Sequence, residues 1–483
     1  MNDLEKTKRT RMVPVIETMP ADLITPLGVY LKLAAAARNS FLLESVEGGE
    51  SLGRYSFIGA DPETVVSGND TSVTIKDRDG ERIVKMPMFN FLRDHFSHVE
   101  IETSEELPPL IGGAVGYLGF GCAGWFEDTV PRRNNSGSDA EFMFFRTVVA
   151  FDHARQAIKI ISLVSLDGER SRERTLDAAR TRTAAIRKII ETGPVELPEA
   201  GTPPADAVTS NWTKDKFEDA VGEIKELIRA GECYQVVISQ CFSKPTSAHP
   251  VSIYRAMRSL NPSPYMFLLQ MRDRAVIGSS PEMLVKSIDR ALQYRPIAGT
   301  RPRGKDASQD LQLADEMRGD KKEVAEHLML VDLGRNDLGR VAEYGTVKVE
   351  NLMNVEKYSH VQHLVSYLSA RLRPELDRFD ALAACFPAGT VSGAPKVRAM
   401  QIINSMEPTE RGLYAGAVGY FDYGGNMDMC IAIRTMVLEN GVAKVQAGAG
   451  IVADSIPEKE YEETINKARA LLKAIEMAET KVG

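Results

Sequence analysis

The sequence predicts an α+β fold: a large antiparallel sheet or sandwich of sheets flanked by helices, with a smaller N-terminal α+β part packed against it. Segments with strand character follow one another through tight turns rather than through crossover helices. Helical patterns interrupt these strands at irregular intervals. The chain has 483 residues, of which 43% are hydrophobic, so it can form one large domain or two ordinary ones.

The N-terminal part, residues 1–205, is rich in predicted strands. A predicted helix over Arg172–Ile190 follows them. Residues 191–210 contain prolines and small polar residues without any period, which is typical of a linker. We therefore place a domain boundary near residue 205, with a second domain over 206–483. The predicted strands are 42–45, 55–58, 72–76, 148–151 and 158–164.

The second part begins with an amphipathic helix that contains Phe217 and Ile224 and ends at Gly231. Strands are predicted over the segments that flank Gly424-Gly425 and Asn440-Gly441, both of which are turn signals. The closing helix is predicted to start with a capping box, Ser455 to Glu458. The predicted strands are 235–240, 413–423, 427–438 and 442–447.

The charge and cysteine content exclude several classes of protein. Sixty-seven acidic against 59 basic residues give a net charge of -8, which disfavours a nucleic-acid or anionic-membrane partner. The five cysteines are odd in number and include no C-x-x-C pair, as is usual in a reducing cytosol. Because no secretion signal or membrane span is recognisable, we expect a cytoplasmic protein.

Two pairs of glutamates lie three residues apart on predicted helices. Glu323 and Glu326 belong to the helix 321–333, whereas Glu460 and Glu463 belong to the closing helix, with Lys467 four residues further on. Such pairs are usually solvated helix faces. The apolar run that follows Glu326 and the glycine loop before the closing helix shift the balance toward Mg²⁺, which prefers one or two carboxylates plus water and substrate.

Candidate anion-binding groups occur at two places. Arg434 interrupts an apolar strand and could project from a sheet face as a carboxylate clamp, although an edge arginine paired with an acid is the alternative. The segment 296–304 joins Gly299 and a hydroxyl to two arginines. His363 is predicted to lie in an apolar helix, where a core histidine is the commoner explanation, and Glu282 would be an ordinary loop acid.

Five motifs in order resemble those of the chorismate-utilising enzymes. The resemblance spans about Trp212 to Ala478, and the N-terminal part matches more loosely through Leu42-Leu-Glu-Ser45 and Arg54 to Gly59. One small departure is Gly334, where the family has alanine. The motifs are Pro296-Ile-Ala-Gly-Thr-Arg-Pro-Arg-Gly304, Ala325 to Asp332, Arg335-Asn-Asp-Leu-Gly-Arg340, Gly389-Thr-Val-Ser-Gly-Ala-Pro-Lys396 and Gln446-Ala-Gly-Ala-Gly-Ile451.

The resemblance implies a site for each chemical step. Glu326 and Glu463 would hold Mg²⁺, which binds the ring carboxylate of chorismate. Glu282 would act as the acid that protonates the hydroxyl leaving carbon 4. His363 would serve the elimination of pyruvate, with Thr390 beside it, and Lys467 would add positive charge. The implied chorismate pocket consists of Gly299, Thr300, Tyr414, Arg434, Gly448, Ala449 and Gly450.

The resemblance also implies which product forms. Ammonia would attack carbon 2, and loss of pyruvate would leave anthranilate, in the first step of tryptophan biosynthesis. Relatives that use water carry a lysine base where this chain has Gln235, and the branch that makes the para-amino product carries lysine in place of Ala298. The alternatives are aminodeoxychorismate or isochorismate as product, or a regulatory tryptophan-binding subunit without lyase activity.

The nitrogen donor is expected to be a separate glutamine amidotransferase subunit, in a hetero-oligomer such as a heterotetramer. The nearest approach to a glutaminase nucleophile motif, Phe120 to Gly124, lacks the first glycine, and His98-Val-Glu100 precedes it in the wrong chain order. Feedback inhibition by L-tryptophan is expected at a site formed by Ser45, Pro264, Tyr265 and Met266, for which a buried strand serine and a plain turn are the alternatives.

Overall fold

A computed structural model describes residues 10–45, 53–102, 106–131, 139–167, 171–199, 201, 207–358 and 361–480. It confirms the α+β class: two large sheets are flanked by helices. No helix among these residues is long and apolar enough to cross a membrane.

The strands in chain order are β1 (Thr10–Pro20), β2 (Asn39–Glu44), β3 (Tyr55–Ala60), β4 (Thr64–Gly68), β5 (Val73–Asp77), β6 (Gly80–Val84), β7 (Val99–Ile101), β8 (Gly113–Leu118), β9 (Ala140–Phe145), β10 (Thr147–Asp152), β11 (Ala157–Ser165), β12 (Thr209–Ser210), β13 (Gln235–Pro245), β14 (Tyr265–Met271), β15 (Arg274–Ser280), β16 (Met283–Ile288), β17 (Ala291–Tyr294), β18 (Ile297–Pro302), β19 (Lys348–Lys357), β20 (Val361–Arg371), β21 (Gly393–Ala394), β22 (Ala417–Asp422), β23 (Met427–Ile431), β24 (Thr435–Glu439) and β25 (Val442–Ile451). The helices are α1 (Pro26–Ala34), α2 (Met88–Ser97), α3 (Ala123–Phe126), α4 (Arg172–Thr192), α5 (Lys214–Arg229), α6 (Pro250–Leu260), α7 (Ala307–Gly319), α8 (Lys321–Gly339), α9 (Arg378–Cys385), α10 (Lys396–Met406) and α11 (Pro457–Glu479).

The first sheet, sheet A, has the order β12-β13-β25-β24-β15-β14-β2-β3-β10-β11-β1-β7, with β21 also paired to β13. The second, sheet B, has the order β18-β20-β17-β16-β23-β22-β8-β9-β4-β5-β6, with β19 also paired to β20. All pairings are antiparallel except β1 with β7. The main core contains side chains of both sheets, such as Phe41 and Phe421, and a second core joins sheet A to helices α1, α6 and α11.

Strands from both parts of the chain pair within each sheet. In sheet A, β2 lies beside β14, with Leu42 opposite Leu268. In sheet B, β8 lies beside β22, so the two Gly-Ala-Val-Gly-Tyr segments are neighbours with Gly116 opposite Gly419. The domain boundary near residue 205 stays a prediction. Backbone hydrogen bonds between β2 and β14, and between β8 and β22, join the residues before that boundary to those after it.

The prediction that His363 lies in a helix is wrong, because the residue belongs to strand β20. Alternate residues of this strand are buried, as in Gln362, Leu364 and Ser366, and β20 is hydrogen-bonded to β18 on one side and β19 on the other. This pairing selects the extended conformation for an apolar run whose periodicity alone does not distinguish helix from strand.

The predicted strand 427–438 is wrong as a single element. It divides into β23 of sheet B and β24 of sheet A, and the chain crosses between the sheets at residues 432–434. Arg434 has a left-handed backbone, with φ of 49°, so it occupies the crossing rather than a sheet face. The predicted capping box is also absent: Ile456 is the N-cap of α11, and the Ser455 hydroxyl instead accepts from the Val452 N–H at 3.0 Å.

Candidate active site

Glu282 and Arg434 lie on two adjacent crossings between the sheets. The chain passes from β15 to β16 through Glu282, and from β23 to β24 through Arg434. The Ile431 N–H donates to the Glu282 carbonyl at 3.0 Å, and the Ser279 N–H donates to the Arg434 carbonyl at 3.0 Å. Backbone hydrogen bonds therefore hold the two crossings together, although positions 282 and 434 are 152 residues apart in the chain.

The Glu282 side chain is buried, with 5% of the residue exposed. Burial raises the pKa of its carboxyl to about 8, although the Thr390 hydroxyl, the Arg295 charge and the Ile297 N–H each lower it. A carboxyl with this pKa is mostly protonated at pH 7 and can donate a proton. The environment thus suits the acid role that the family resemblance implies for Glu282.

Thr390 lies in a 3₁₀ turn, Gly389–Val391, that packs directly on helix α8. A Cβ atom added at Gly389 would lie 1.8 Å from Leu333 Cδ2, so the Leu333 side chain occupies the space that glycine leaves. The Thr390 hydroxyl is buried and has no hydrogen-bond partner of good geometry among the described residues, yet it lies near enough to Glu282 to lower the pKa of its carboxyl. The turn thereby brings a hydroxyl to the proposed acid.

His363 faces the bulge of strand β18. Gly299 adopts a left-handed backbone there, with φ of 61°, and the strand register shifts between Ala298 and Thr300. His363 Nδ1 lies 3.0 Å from the Gly299 carbonyl oxygen and 3.1 Å from Thr300 Oγ1. Because a carbonyl can only accept, Nδ1 carries the proton, which leaves the Nε2 lone pair free to act as a base. Burial lowers the pKa of His363, which favours this neutral form.

The glycine segment of β25 lies between Gln235 and Tyr414. Gly448 and Gly450 pair with Ser239 and Val237 of β13. A Cβ added at Gly450 would lie 2.6 Å from Gln235 Nε2, and one added at Gly448 would lie 2.7 Å from the Tyr414 hydroxyl. Ala449, between them, has a fully buried side chain. The side chains of Gln235 and Tyr414 therefore occupy the space that side chains at positions 450 and 448 would need.

Lys467, a residue of helix α11, contacts Glu463, the glycine segment and Arg434. Its Nζ lies 2.6 Å from Glu463 Oε1 and donates to the Gly448 carbonyl at 3.0 Å, and Arg434 Nη1 donates to the Lys467 carbonyl at 3.0 Å. Burial lowers the pKa of Arg434, while Tyr414 and Glu463 raise it. Burial raises the pKa of Tyr414 to about 12, so its hydroxyl remains a hydrogen-bond donor.

Four glutamates on α8 and α11 surround the same region. Gln235 Nε2 lies 3.4 Å from Glu326 Oε1, which connects α8 to the glycine segment. Lys322 of α8 lowers the pKa of Glu460, so the two helices approach each other there. Burial, together with the charge of Glu463, nevertheless leaves the pKa of Glu460 raised. Glu323 pairs with Arg301, but its Oε2 is buried without a hydrogen-bond partner among the described residues.

These carboxylates fit Mg²⁺ better than a metal that needs a full set of protein ligands. In the described part of the chain, no group of three or more His, Cys, Asp and Glu side chains is arranged to hold a metal. Mg²⁺ is usually bound by one or two carboxylates plus water and substrate. The Glu323 Oε2 atom, buried without a hydrogen-bond partner among the described residues, is an acceptor that a cation could satisfy.

Three ionic residues near the site are absent from the sequence-based list: Arg295 and Asp337, which are buried, and Lys396, which is partly buried. Arg295 lies between β17 and β18, and Asp337 of α8 pairs with Lys396 of α10. All three lie in or directly beside motifs that carry the resemblance. The sequence of a motif does not show which residue a charged side chain will pair with in the folded chain, so these ion pairs could not be predicted.

Gly334, the departure from the family pattern, accommodates the Tyr294 ring: an added Cβ would lie 2.5 Å from its Cε1.

A separate cavity of about 780 Å³ lies where β2 adjoins β14. Ser45, Tyr265 and Met266 line it, whereas Pro264, the buried residue that precedes β14, does not. The Tyr265 hydroxyl donates to Asp428 at 3.1 Å, and Asp428 in turn pairs with Lys286 at 3.1 Å. The cavity is therefore built from both parts of the chain, where the sequence places the effector site.

The chorismate binding enzyme family matches residues 38–473 of the chain. Anthranilate synthase component 1 of Pseudomonas aeruginosa is 45% identical over 476 residues, which cover 97% of this chain and 96% of that protein. The namesake from Acetivibrio thermocellus is 44% identical over 487 residues, covering 98% and 97%. The crystal structure of anthranilate synthase component I from Streptococcus pneumoniae TIGR4 superimposes with a TM-score of 0.75 at 35% identity, covering 94% of this chain and 99% of that one.

Fold, site and sequence therefore define the class: the chain belongs to the chorismate binding enzymes. Within that class, the three proteins compared above all carry the name anthranilate synthase component 1 or I, over nearly their whole length. The family resemblance and the enzymatic nature expected from the sequence are confirmed.

Proposed function

We propose that this chain converts chorismate and ammonia to anthranilate and pyruvate, the first step of tryptophan biosynthesis, with Mg²⁺ as cofactor. The observation that carries the proposal is Glu282, where burial raises the pKa of the carboxyl to about 8, on the crossing adjacent to the one that holds Arg434. The names of the relatives support the same reaction.

Binding of chorismate would use the cationic and backbone groups of the site. Arg434, whose guanidinium is held against α11, can pair with a carboxylate of the substrate. The Tyr414 hydroxyl and the N–H groups of Gly448 and Gly450 can donate to the same anion. Glu326 and Glu463 would hold Mg²⁺, which, when bound, fixes the ring carboxylate and withdraws electron density from the ring.

Two groups would move protons. Glu282 would protonate the carbon-4 hydroxyl as ammonia attacks carbon 2, because hydroxide is a poor leaving group. His363 would then accept the carbon-2 proton at Nε2, and the pyruvate that departs leaves an aromatic ring. Neutral Gln235 cannot deprotonate water, and Ala298 cannot act as a nucleophile, which supports ammonia addition with the ortho-amino product.

The ammonia source would be a separate glutaminase subunit. Burial raises the pKa of all five cysteine thiols, and Cys122, in the nearest glutaminase-like segment, is fully buried. Such thiols are poor nucleophiles. The relatives are named component 1, which also supports a second component.

We further propose that L-tryptophan binds the cavity lined by Ser45, Tyr265 and Met266 and inhibits the reaction.

The test is incubation of the purified chain with chorismate, Mg²⁺ and ammonium at alkaline pH. Fluorescent anthranilate should accumulate with an equal amount of pyruvate. Isochorismate or a para-aminobenzoate precursor would assign the chain to another branch of the family. Complete inactivity with ammonium, together with tryptophan binding, would favour the regulatory subunit instead. EDTA should stop turnover, and added Mg²⁺ should restore it.

A further inference from the structure

Arg295 is a buried cation that the reaction described above does not use. Only 1% of it is exposed. Its Nη2 donates to Glu356 and, at 2.5 Å, to the Tyr358 hydroxyl. The guanidinium lies 5.2 Å from the centre of the Tyr367 ring, and the hydroxyls of Tyr358 and Tyr367 each donate to Glu356 at 2.8 Å. One side of Arg295 is thus fixed by an acid and two tyrosines.

The other side of the guanidinium is not satisfied in this way. Nε and Nη1 are buried and have no hydrogen-bond partner within the described residues. Buried arginine donors are normally paired, because an unpaired buried donor has lost its hydrogen bonds to water without replacing them. A residue kept only for packing would not carry this cost, because an apolar side chain could fill the same space. The unpaired side therefore suggests a functional reason for the charge.

We propose that Arg295 is a positioning residue of the active site, a buried cation held by Glu356 and two tyrosines so that its charge acts on both Glu282 and His363. The part of the proposal that gives Arg295 a role in turnover rests on the proposed function. The location of Arg295 supports the proposal. Gly299, whose carbonyl accepts the His363 Nδ1 proton, follows Arg295 by four residues. Tyr358, which accepts from Arg295, packs edge-on against His363, with 5.6 Å between the ring centroids.

The charges that face the two groups give the direction of each effect. At Glu282, burial raises the pKa, and Thr390, Arg295 and the Ile297 N–H lower it, so Arg295 keeps the acid strong enough to release its proton. At His363, burial lowers the pKa, the Gly299 carbonyl raises it, Arg434 and Arg295 lower it, and Glu356 raises it. Arg295 and Glu356 thus act on His363 with opposite signs.

This opposition allows a test that does not depend on which product forms. The pKa of His363 is measured by NMR on the full chain labelled with ¹³C-histidine, with the signal assigned by its loss in His363→Gln. In Arg295→Met the pKa of His363 should rise by about half a unit or more, and in Glu356→Gln it should fall by a similar amount. Arg290→Met, at the other end of β17, should leave it unchanged, because Arg290 binds carbonyls of residues 372, 373 and 376.

Turnover provides the second readout. In Arg295→Met the alkaline limb of the pH–rate profile should move to higher pH, since the carboxyl of Glu282 loses a nearby cation, and Arg295→Lys should restore most of the wild-type profile. Unchanged or same-sign shifts of the His363 pKa in the two variants would overturn the proposal. Should Arg295→Met fail to fold, an absent fall in Glu356→Gln would overturn it alone. Opposite shifts in a chain that makes no anthranilate would uphold the electrostatics and reject the proposed function.

Discussion

Lys396 Nζ lies 2.7 Å from Asp337 Oδ2, and the two side chains are 12% and 2% exposed, respectively. Asp337 belongs to α8, the helix that carries Glu326, and Lys396 begins α10, five residues after the end of the 3₁₀ turn Gly389–Val391. The same ammonium also lies 3.3 Å from the Cys385 carbonyl. The ion pair therefore ties the helix of the proposed metal site to the turn that places Thr390 beside Glu282.

Replacing one partner of this ion pair should lower the free energy of unfolding more than replacing both partners. Lys396→Met leaves a buried carboxyl without its cation, and burial already raises the pKa of Asp337, so we expect a loss of about 3 to 5 kcal/mol in the free energy of unfolding. The double variant Asp337→Leu/Lys396→Met should lose less than the sum of the two single variants. Urea unfolding of all four proteins measures the coupling. Strict additivity would show that the pair contributes no interaction of its own.

Replacement of Glu282 should separate activity from stability. Glu282→Gln cannot donate a proton as an acid and should lower kcat by about 10² to 10⁴. The pKa of the Glu282 carboxyl is higher in the folded chain than in the unfolded chain, so ionisation of Glu282 destabilises the fold increasingly as pH rises from the unfolded-state pKa toward about 8. The variant, which has no carboxyl to ionise, should therefore be at least as stable as wild type at pH 7. In wild type, the acid form is lost as pH rises through about 8, and this alkaline limb should be absent from the variant. A wild-type rate in Glu282→Gln would exclude the acid role.

Glu326→Gln should abolish Mg²⁺-dependent turnover without unfolding the chain. One of the two proposed carboxylate ligands becomes a neutral amide, which binds Mg²⁺ far less well. Asp332→Asn, on the exposed side of the same helix, is the matched control and should remain active. Rates measured against Mg²⁺ concentration decide the outcome. An unchanged Mg²⁺ dependence in Glu326→Gln would place the metal elsewhere.

Ser45→Phe should relieve inhibition by L-tryptophan, since a phenyl ring would fill part of the cavity that Ser45 lines. The concentration of tryptophan that halves the rate should rise at least tenfold, while turnover without tryptophan stays near wild type. Ser97→Phe, on the exposed side of α2, serves as the control. If the inhibition curves of wild type and Ser45→Phe coincide, Ser45 does not belong to the effector site.

His363→Ala should slow the release of pyruvate more than the addition of ammonia, because only the elimination needs the Nε2 base. The aminated intermediate should then accumulate and be detectable by chromatography of quenched reactions. His98→Ala, at an exposed histidine that follows α2, should behave as wild type. Equal slowing of both steps would contradict the assignment.

Sequence patterns predicted many elements of this fold because those elements depend on neighbouring residues. Gly231, with φ of 80°, does follow the end of α5, and Asn440-Gly441 does form the left-handed turn between β24 and β25. His363 was misassigned because an apolar run of this length suits either a helix or a strand, and only pairing with β18 and β19 decides between them. Arg434 was placed on a strand because a crossing between sheets has no local signature.

The sequence by itself determined the class of the fold and the motifs that define the family, because spacing and turn chemistry are properties of short segments. Only the tertiary structure decided that burial raises the pKa of Glu282, that Arg434 lies on the neighbouring crossing, and that Arg295 is buried with two donors lacking partners among the described residues. The physical reason is that the pKa of a carboxyl depends on the water and charge around it. In this protein those surroundings come from residues that folding alone brings together.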